Sequence, residues 1–184
     1  MELTEEYINF LNDLKNRNII SINGKVGTGK TLLSLDIGYW LSINYTKENI
    51  YYIDFEDYDD IFKEKYQNFK YQYLPFNKFT NYNIQNIQNS LFIFNGCTNE
   101  GIRIIEKLKF NNNQLVINLF GYGGSILHYF DLNITTNSYN DEIFNFSITK
   151  DRLGIYHNKS IKSKSIKYKM LSIIRKKKID SIFN

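Results

Sequence analysis

The sequence predicts an α/β fold with a mostly parallel central sheet flanked by helices, on three observations. Short apolar runs of strand length recur at 18–23, 50–54, 91–94, 115–117, 143–148 and 153–156. Apolar residues at helical spacing occupy 3–16, 31–44 and 101–110 between them. A glycine-rich cluster ends the first run and opens the second helical pattern. Strands alternating with helices imply parallel strands joined by crossovers that cover the faces of the sheet.

Each element follows from its residues. Leu3, Tyr7, Phe10, Leu11 and Leu14 place one apolar stripe on a short opening helix, about 3–16. Asn18-Ile19-Ile20-Ser21-Ile22-Asn23 reads as a strand running into a loop. Leu32, Leu33, Leu35, Ile37, Trp40 and Leu41 surround most of the next helix, which is therefore packed on several sides. Ile50-Tyr51-Tyr52-Ile53-Asp54 is a second strand. The stretch 56–89 is polar, aromatic and Asn-rich, with a helical pattern only at 57–69. No internal repeat and no domain boundary interrupts the chain, so residues 1–184 read as a single domain ending in a basic segment, about 157–184.

Composition narrows the function. The chain has 27 Ile and 25 Asn, the usage of an AT-rich genome. No apolar stretch reaches the ~18–20 residues of a membrane span, and the start Met1-Glu2-Leu3-Thr4-Glu5-Glu6 is acidic where a signal peptide is basic. The expected location is cytoplasmic, with no membrane span. Cys97 is the sole cysteine beside His128 and His157, which excludes an intramolecular disulfide and disfavours structural zinc. Residues 1–150 carry 13 Lys+Arg against 17 Asp+Glu, whereas 151–184 carry 10 against 2. Basic charge concentrated in one segment points to a polyanion such as nucleic acid, or else to a solvated end.

The sharpest motif is Gly24-Lys25-Val26-Gly27-Thr28-Gly29-Lys30-Thr31, which satisfies G-x-x-x-x-G-K-[ST] between a predicted strand and a predicted helix. Such a loop curls so that successive N–H groups meet phosphate oxygens at a helix N-terminus. Lys30 is expected on the β- and γ-phosphates and Thr31 on Mg²⁺, so the cofactors predicted are ATP and Mg²⁺.

Three further stretches resemble RecA-like P-loop ATPases of the KaiC and replicative-helicase branch. Asp54-Phe55-Glu56-Asp57 ends the second strand, and the 26 residues from Lys30 to Glu56 are similar to the family's spacing between the loop lysine and the glutamate that activates water. Lys150-Asp151-Arg152-Leu153-Gly154 resembles the family's K-x-R-x-G motif, whose cations enter a neighbouring subunit's site. Without that role, Lys150 and Arg152 are solvated residues of an edge strand. Phe120-Gly121-Tyr122-Gly123-Gly124-Ser125 lies where such proteins project nucleic-acid loops, and reads equally as a tight turn. Lys159, Lys162, Lys164, Lys167, Lys169 and Arg175-Lys176-Lys177-Lys178 add a basic footprint, with strand-like alternation at 161–169.

The resemblance implies a Mg-dependent ATPase acting on single-stranded DNA or RNA as a homo-oligomer, hexamer or filament, with Lys30, Glu56, Lys150 and Arg152 catalytic. It departs from the family at the strand expected to end in an aspartate: Leu115-Val116-Ile117 ends in Asn118, and 91–94 ends in Asn95. An amide accepts a hydrogen bond but lacks the charge, so hydrolysis is expected to be weak. Thr31, Asp54 and Asn118 are the candidate metal residues, although Asp54 reads equally as a cap or a surface residue. Two alternatives stay open: a KaiC-like ATP-gated assembly subunit, and a partition ATPase of the ParA/MinD type, which resembles this region through Lys25 and Asp54.

Overall fold

A computed structural model describes residues 3–44, 49–56, 70–80, 86–98, 101, 105, 107–108, 112–119, 130–140 and 143–165. Its elements in chain order are α1 (Glu5–Asp13), a 3₁₀ turn (Leu14–Asn16), β1 (Ile19–Gly24), α2 (Lys30–Asn44), β2 (Ile50–Asp54), β3 (Gln72–Pro75), α3 (Phe76–Phe79), β4 (Leu91–Cys97), β5 (Gln114–Leu119), β6 (Leu132–Asn140), β7 (Ile143–Asp151) and β8 (Ser160–Lys164). The strands form one sheet in the order β3-β2-β4-β5-β1-β6-β7-β8. β3 through β6 in that order are parallel, and β7 and β8 close the sheet as antiparallel strands.

Side chains of successive strand residues point to opposite faces, and the core divides accordingly. Ile20, Ile22, Leu91, Ile93, Val116, Leu132 and Ile134 pack with Tyr7, Phe10 and Leu11 of α1 and Leu33, Ile37 and Leu41 of α2. Ile19, Phe92, Phe94, Leu115 and Ile117 form the other face with Phe79 of α3 and with Ile105 and Leu108. The sheet is thus covered on both sides, and all six residues of β1 and of β5 are buried. Thr4 caps α1 by accepting from the Tyr7 N–H, and Glu5 and Glu6 complement the positive end of the helix.

Three parts of the sheet differ from expectation. Residues 153–156 are a turn: Asp151 ends β7, and its carboxylate accepts the N–H groups of Leu153 and Tyr156, which curls the chain away from the ladder. β6 was not expected, because Leu132-Asn133-Ile134-Thr135-Thr136-Asn137 carries few apolar residues; only Leu132 and Ile134 join the core, while Asn133 bonds to Ser21 and Asn23 across the sheet. β3, at the sheet edge, falls in the Asn-rich stretch where no strand was expected. The helical pattern at 57–69, the loop at 120–125 and the basic residues from 166 onward lie outside the described residues.

Candidate functional site

In a parallel sheet, loops that leave the carboxyl ends of the strands share one edge, and ligands collect there. β1 delivers Gly24 to that edge, and the loop 24–29 leads directly into α2 at Lys30. Gly24, Gly27 and Gly29 all have positive φ, a backbone that other residues adopt only under strain. Close contact adds a second reason for glycine at two of them. A Cβ on Gly24 would strike the Thr136 hydroxyl, and one on Gly29 would lie 2.5 Å from Cβ of Tyr139. β6 therefore buttresses the loop from one side, and the hydroxyls of Thr28 and Thr136 bond at 2.6 Å.

Lys30 reaches back over the loop, its Nζ donating to the carbonyls of Gly24 and Lys25 at 3.1 Å each. Burial pushes its ammonium below the ordinary value, and the carboxylate of Glu56 opposes that shift. Lys25 and Gly27 are exposed on the loop, and Val26 at its tip is 93% exposed. The loop thus lies open to solvent where α2 begins, and a helix start of this kind is a general anion-binding element.

On the other side of the loop the ends of β2, β4 and β5 converge. Asp54 pairs in register with Asn95, and Asn118 with Ile22 of β1. The Thr31 hydroxyl donates to Oδ1 of Asn95 at 2.9 Å, and Nδ2 of Asn118 donates to the same oxygen at 2.7 Å and to Thr31 Oγ1 at 3.2 Å. Nδ2 of Asn95 donates to Asp54 Oδ1 at 3.0 Å and to Glu56 Oε2 at 3.2 Å. Asp54 also accepts from the Glu56 N–H and from the Tyr73 hydroxyl. Asp54 thus reaches Thr31 only through Asn95, whereas Asn95 and Asn118 touch it directly.

The structure brings Lys30, Thr31, Asp54, Glu56 and Asn118 together and separates Lys150 and Arg152 from them. Lys150 pairs with Asn133, which pairs with Ser21 in the middle of β1, and the Arg152 N–H bonds the Asp131 carbonyl level with the start of β1, so the chain carries these cations away from the end that bears the loop. Arg152, about half exposed, bonds the more covered Asp131 at 2.9 Å. Sequence reasoning did not select Asn95, Gly96, Thr136 or Tyr139 as site residues. Asn95 carried a signal, a polar residue at the end of an apolar run; Thr136 and Tyr139 carried none, because their importance comes from strand pairing.

A metal ion fits this donor set. Oδ1 of Asn118 is buried without a hydrogen-bond partner, an acceptor held ready at the Thr31 corner. Donation of the Thr31 proton to Asn95 leaves a hydroxyl lone pair free to face a cation. The described residues contain no group of three or more His, Cys, Asp or Glu placed to hold a metal, so one bound here would depend on these oxygens together with phosphate. Among the described residues no helix is long and apolar enough to cross a membrane. Neither a family model nor a curated protein matches the chain.

Proposed function

We propose that this chain is a RecA-like, Mg-dependent ATP-binding protein that hydrolyses ATP slowly and acts on single-stranded DNA or RNA as a homo-oligomer. One arrangement carries the reading: a G-x-x-x-x-G-K-T loop between a buried strand and a helix, with Thr31, Asn95, Asn118 and Glu56 linked by hydrogen bonds beside it. The α/β fold with its parallel central strands is compatible with that family.

The residues have separable tasks. Loop N–H groups and the start of α2 receive the phosphates, and Lys30 turns from its two loop carbonyls toward them. Thr31 and Asn118 would hold Mg²⁺, which together with ATP supplies the neutralised phosphoanhydride to be cleaved. Glu56, exposed at the mouth of the site, orients water and accepts its proton. Lys150 and Arg152, remote from their own loop, act on a neighbouring subunit in this reading, and the exposed Lys159 and Lys162 supply part of the nucleic-acid contact.

The amides at 95 and 118 favour a second reading, an ATP-gated assembly subunit with negligible turnover. The partition-type alternative would instead assign the trans role to the exposed Lys25. ATP hydrolysis with Mg²⁺, measured with and without single-stranded DNA or RNA across protein concentration and beside Lys30→Ala and Glu56→Gln, separates the three. Nucleic-acid stimulation that rises more than linearly with protein and vanishes in both variants supports the motor. Tight ATP binding with no turnover under any condition supports the gated subunit. Trans activity lost with Lys25 and kept without Arg152 supports the partition type.

A further inference from the structure

We propose that Asn95 is a positioning residue whose amide holds Asp54 and Glu56 side by side and, through Asn118, sets the hydrogen-bonding face shown to Thr31. This inference rests on the reading of Glu56 as the water-activating group, and its melting test does not require hydrolysis.

The argument starts from the two carboxylates. Asp54 Oδ1 and Glu56 Oε2 both accept, so the group between them must donate, and Nδ2 of Asn95 spends its two N–H bonds on them. That fixes the amide: Oδ1 of Asn95 faces the opposite way and accepts from Thr31 and Asn118. Asn118 must then turn its own Nδ2 toward Asn95 and Thr31, which leaves its Oδ1 unpartnered. Flipping either amide would set oxygen against oxygen or N–H against N–H. The orientation at Thr31 is therefore dictated by carboxylates at the end of β2 and just beyond it.

The backbone is shaped for the same purpose. The β4–β5 register shifts between Phe94 and Cys97, a bulge-like irregularity that includes Asn95. Gly96, within the bulge, has φ +68°, and a Cβ there would lie 2.6 Å from Cγ of Glu56. Glu56 rests on the one residue whose missing side chain makes room for it.

An aspartate at 95 would place three carboxylates in contact, where like charges disfavour full ionisation unless a cation joins them. The amide lets two acids stand together without one. The experiment compares wild type, Asn95→Asp and the double variant Asp54→Asn/Asn95→Asp by thermal melting, free of nucleotide, with and without millimolar MgCl₂. The expected result is that Asn95→Asp melts lower than wild type by about 5 °C without Mg²⁺. MgCl₂ should restore it while leaving wild type unmoved, and the double variant should recover without the ion. Where wild type hydrolyses ATP, the acid limb of its pH–rate profile moves to higher pH in Asn95→Asp. Equal melting of Asn95→Asp and wild type without Mg²⁺, no response of the single variant to the ion, no recovery in the double variant, or an acid limb that Asn95→Asp does not move would each overturn the proposal. Failure of wild type to bind ATP would overturn the functional reading instead, and the melting comparison would still decide this one.

Discussion

The hydroxyls of Thr28 and Thr136 bond at 2.6 Å although 108 residues separate them, and the same Thr136 hydroxyl donates to the Asn23 carbonyl at 3.0 Å. The phosphate loop is thereby tied to β6 as well as to the strand it leaves. A loop held in its binding shape loses less conformational entropy when phosphate arrives. Thr136→Val keeps the volume and removes both bonds, and a net hydrogen bond contributes about 0.5–1.5 kcal/mol. ATP affinity in Thr136→Val should fall about tenfold, whereas Thr136→Ser should bind as wild type; titration with a fluorescent ATP analogue reads both. Equal affinity in the three proteins would show that the brace does not shape the loop.

Arg17 and Asp151 form the second long-range tie, with Nη2 to Oδ1 at 2.8 Å and both side chains almost wholly buried. Burial would raise the Asp151 carboxyl, but the Tyr156 N–H, the Arg17 guanidinium and the Leu153 N–H outweigh it and hold the group below its ordinary 3.8. Its contribution to stability is therefore complete above the unfolded value and is lost as pH falls through the folded one. Asp151→Asn should flatten the loss of stability below about pH 4. Arg17→Ala should cost about 3–5 kcal/mol in urea unfolding at neutral pH, because it strands a buried carboxylate. An Arg17→Ala protein within about 1 kcal/mol of wild type would show that water reaches Asp151.

The order of the elements around the loop was legible, because β1, α2, β2 and β5 are built from runs whose period matches their structure, with β1 and β5 wholly buried and β2 and α2 mostly so. The loop itself was legible as a motif of fixed spacing. β6 was not, since Asn133 and Thr136 meet partners on β1 and the loop, and only the paired strand gives those polar residues a reason to be there. The turn after Asp151 was misread as a strand because Leu153 and Ile155 look like core residues; they are 54% and 47% exposed. Asn95 stood at a recognisable strand end, but its role depends on two acids and a second amide that no spacing rule connects.

Cys97 ends β4 only 2% exposed, in one core cluster with Phe94 and with its Sγ beside Gly101, and burial pushes its thiol up to about 12. The thiolate is the reactive form, so the native protein should hold almost none of it at pH 8. A chromogenic disulfide reagent should label less than about a tenth of Cys97 in folded protein over minutes and all of it in denaturant. Rapid labelling of the folded form would mean that β4 opens locally near the site.

Arg152 presents the sharpest contrast between its surroundings and its proposed role. Arg152 is about half exposed, and Asp131 keeps the Asn18 and Ile19 N–H groups as donors without it, so Arg152→Ala should change stability by no more than about 1 kcal/mol. A cation supplied in trans to a phosphoryl-transfer site contributes on the order of 10³–10⁵ in rate. If Arg152 serves a neighbour, its loss should therefore remove hydrolysis while leaving melting unchanged. Mixing distinguishes this from a cis effect, because a Lys30→Ala subunit retains Arg152 and an Arg152→Ala subunit retains its own loop. Two inactive preparations should regain measurable ATPase activity when combined, rising with the fraction of mixed contacts. Full activity of Arg152→Ala alone, or no recovery in any mixture, would remove Arg152 from the mechanism and leave it as the surface partner of Asp131.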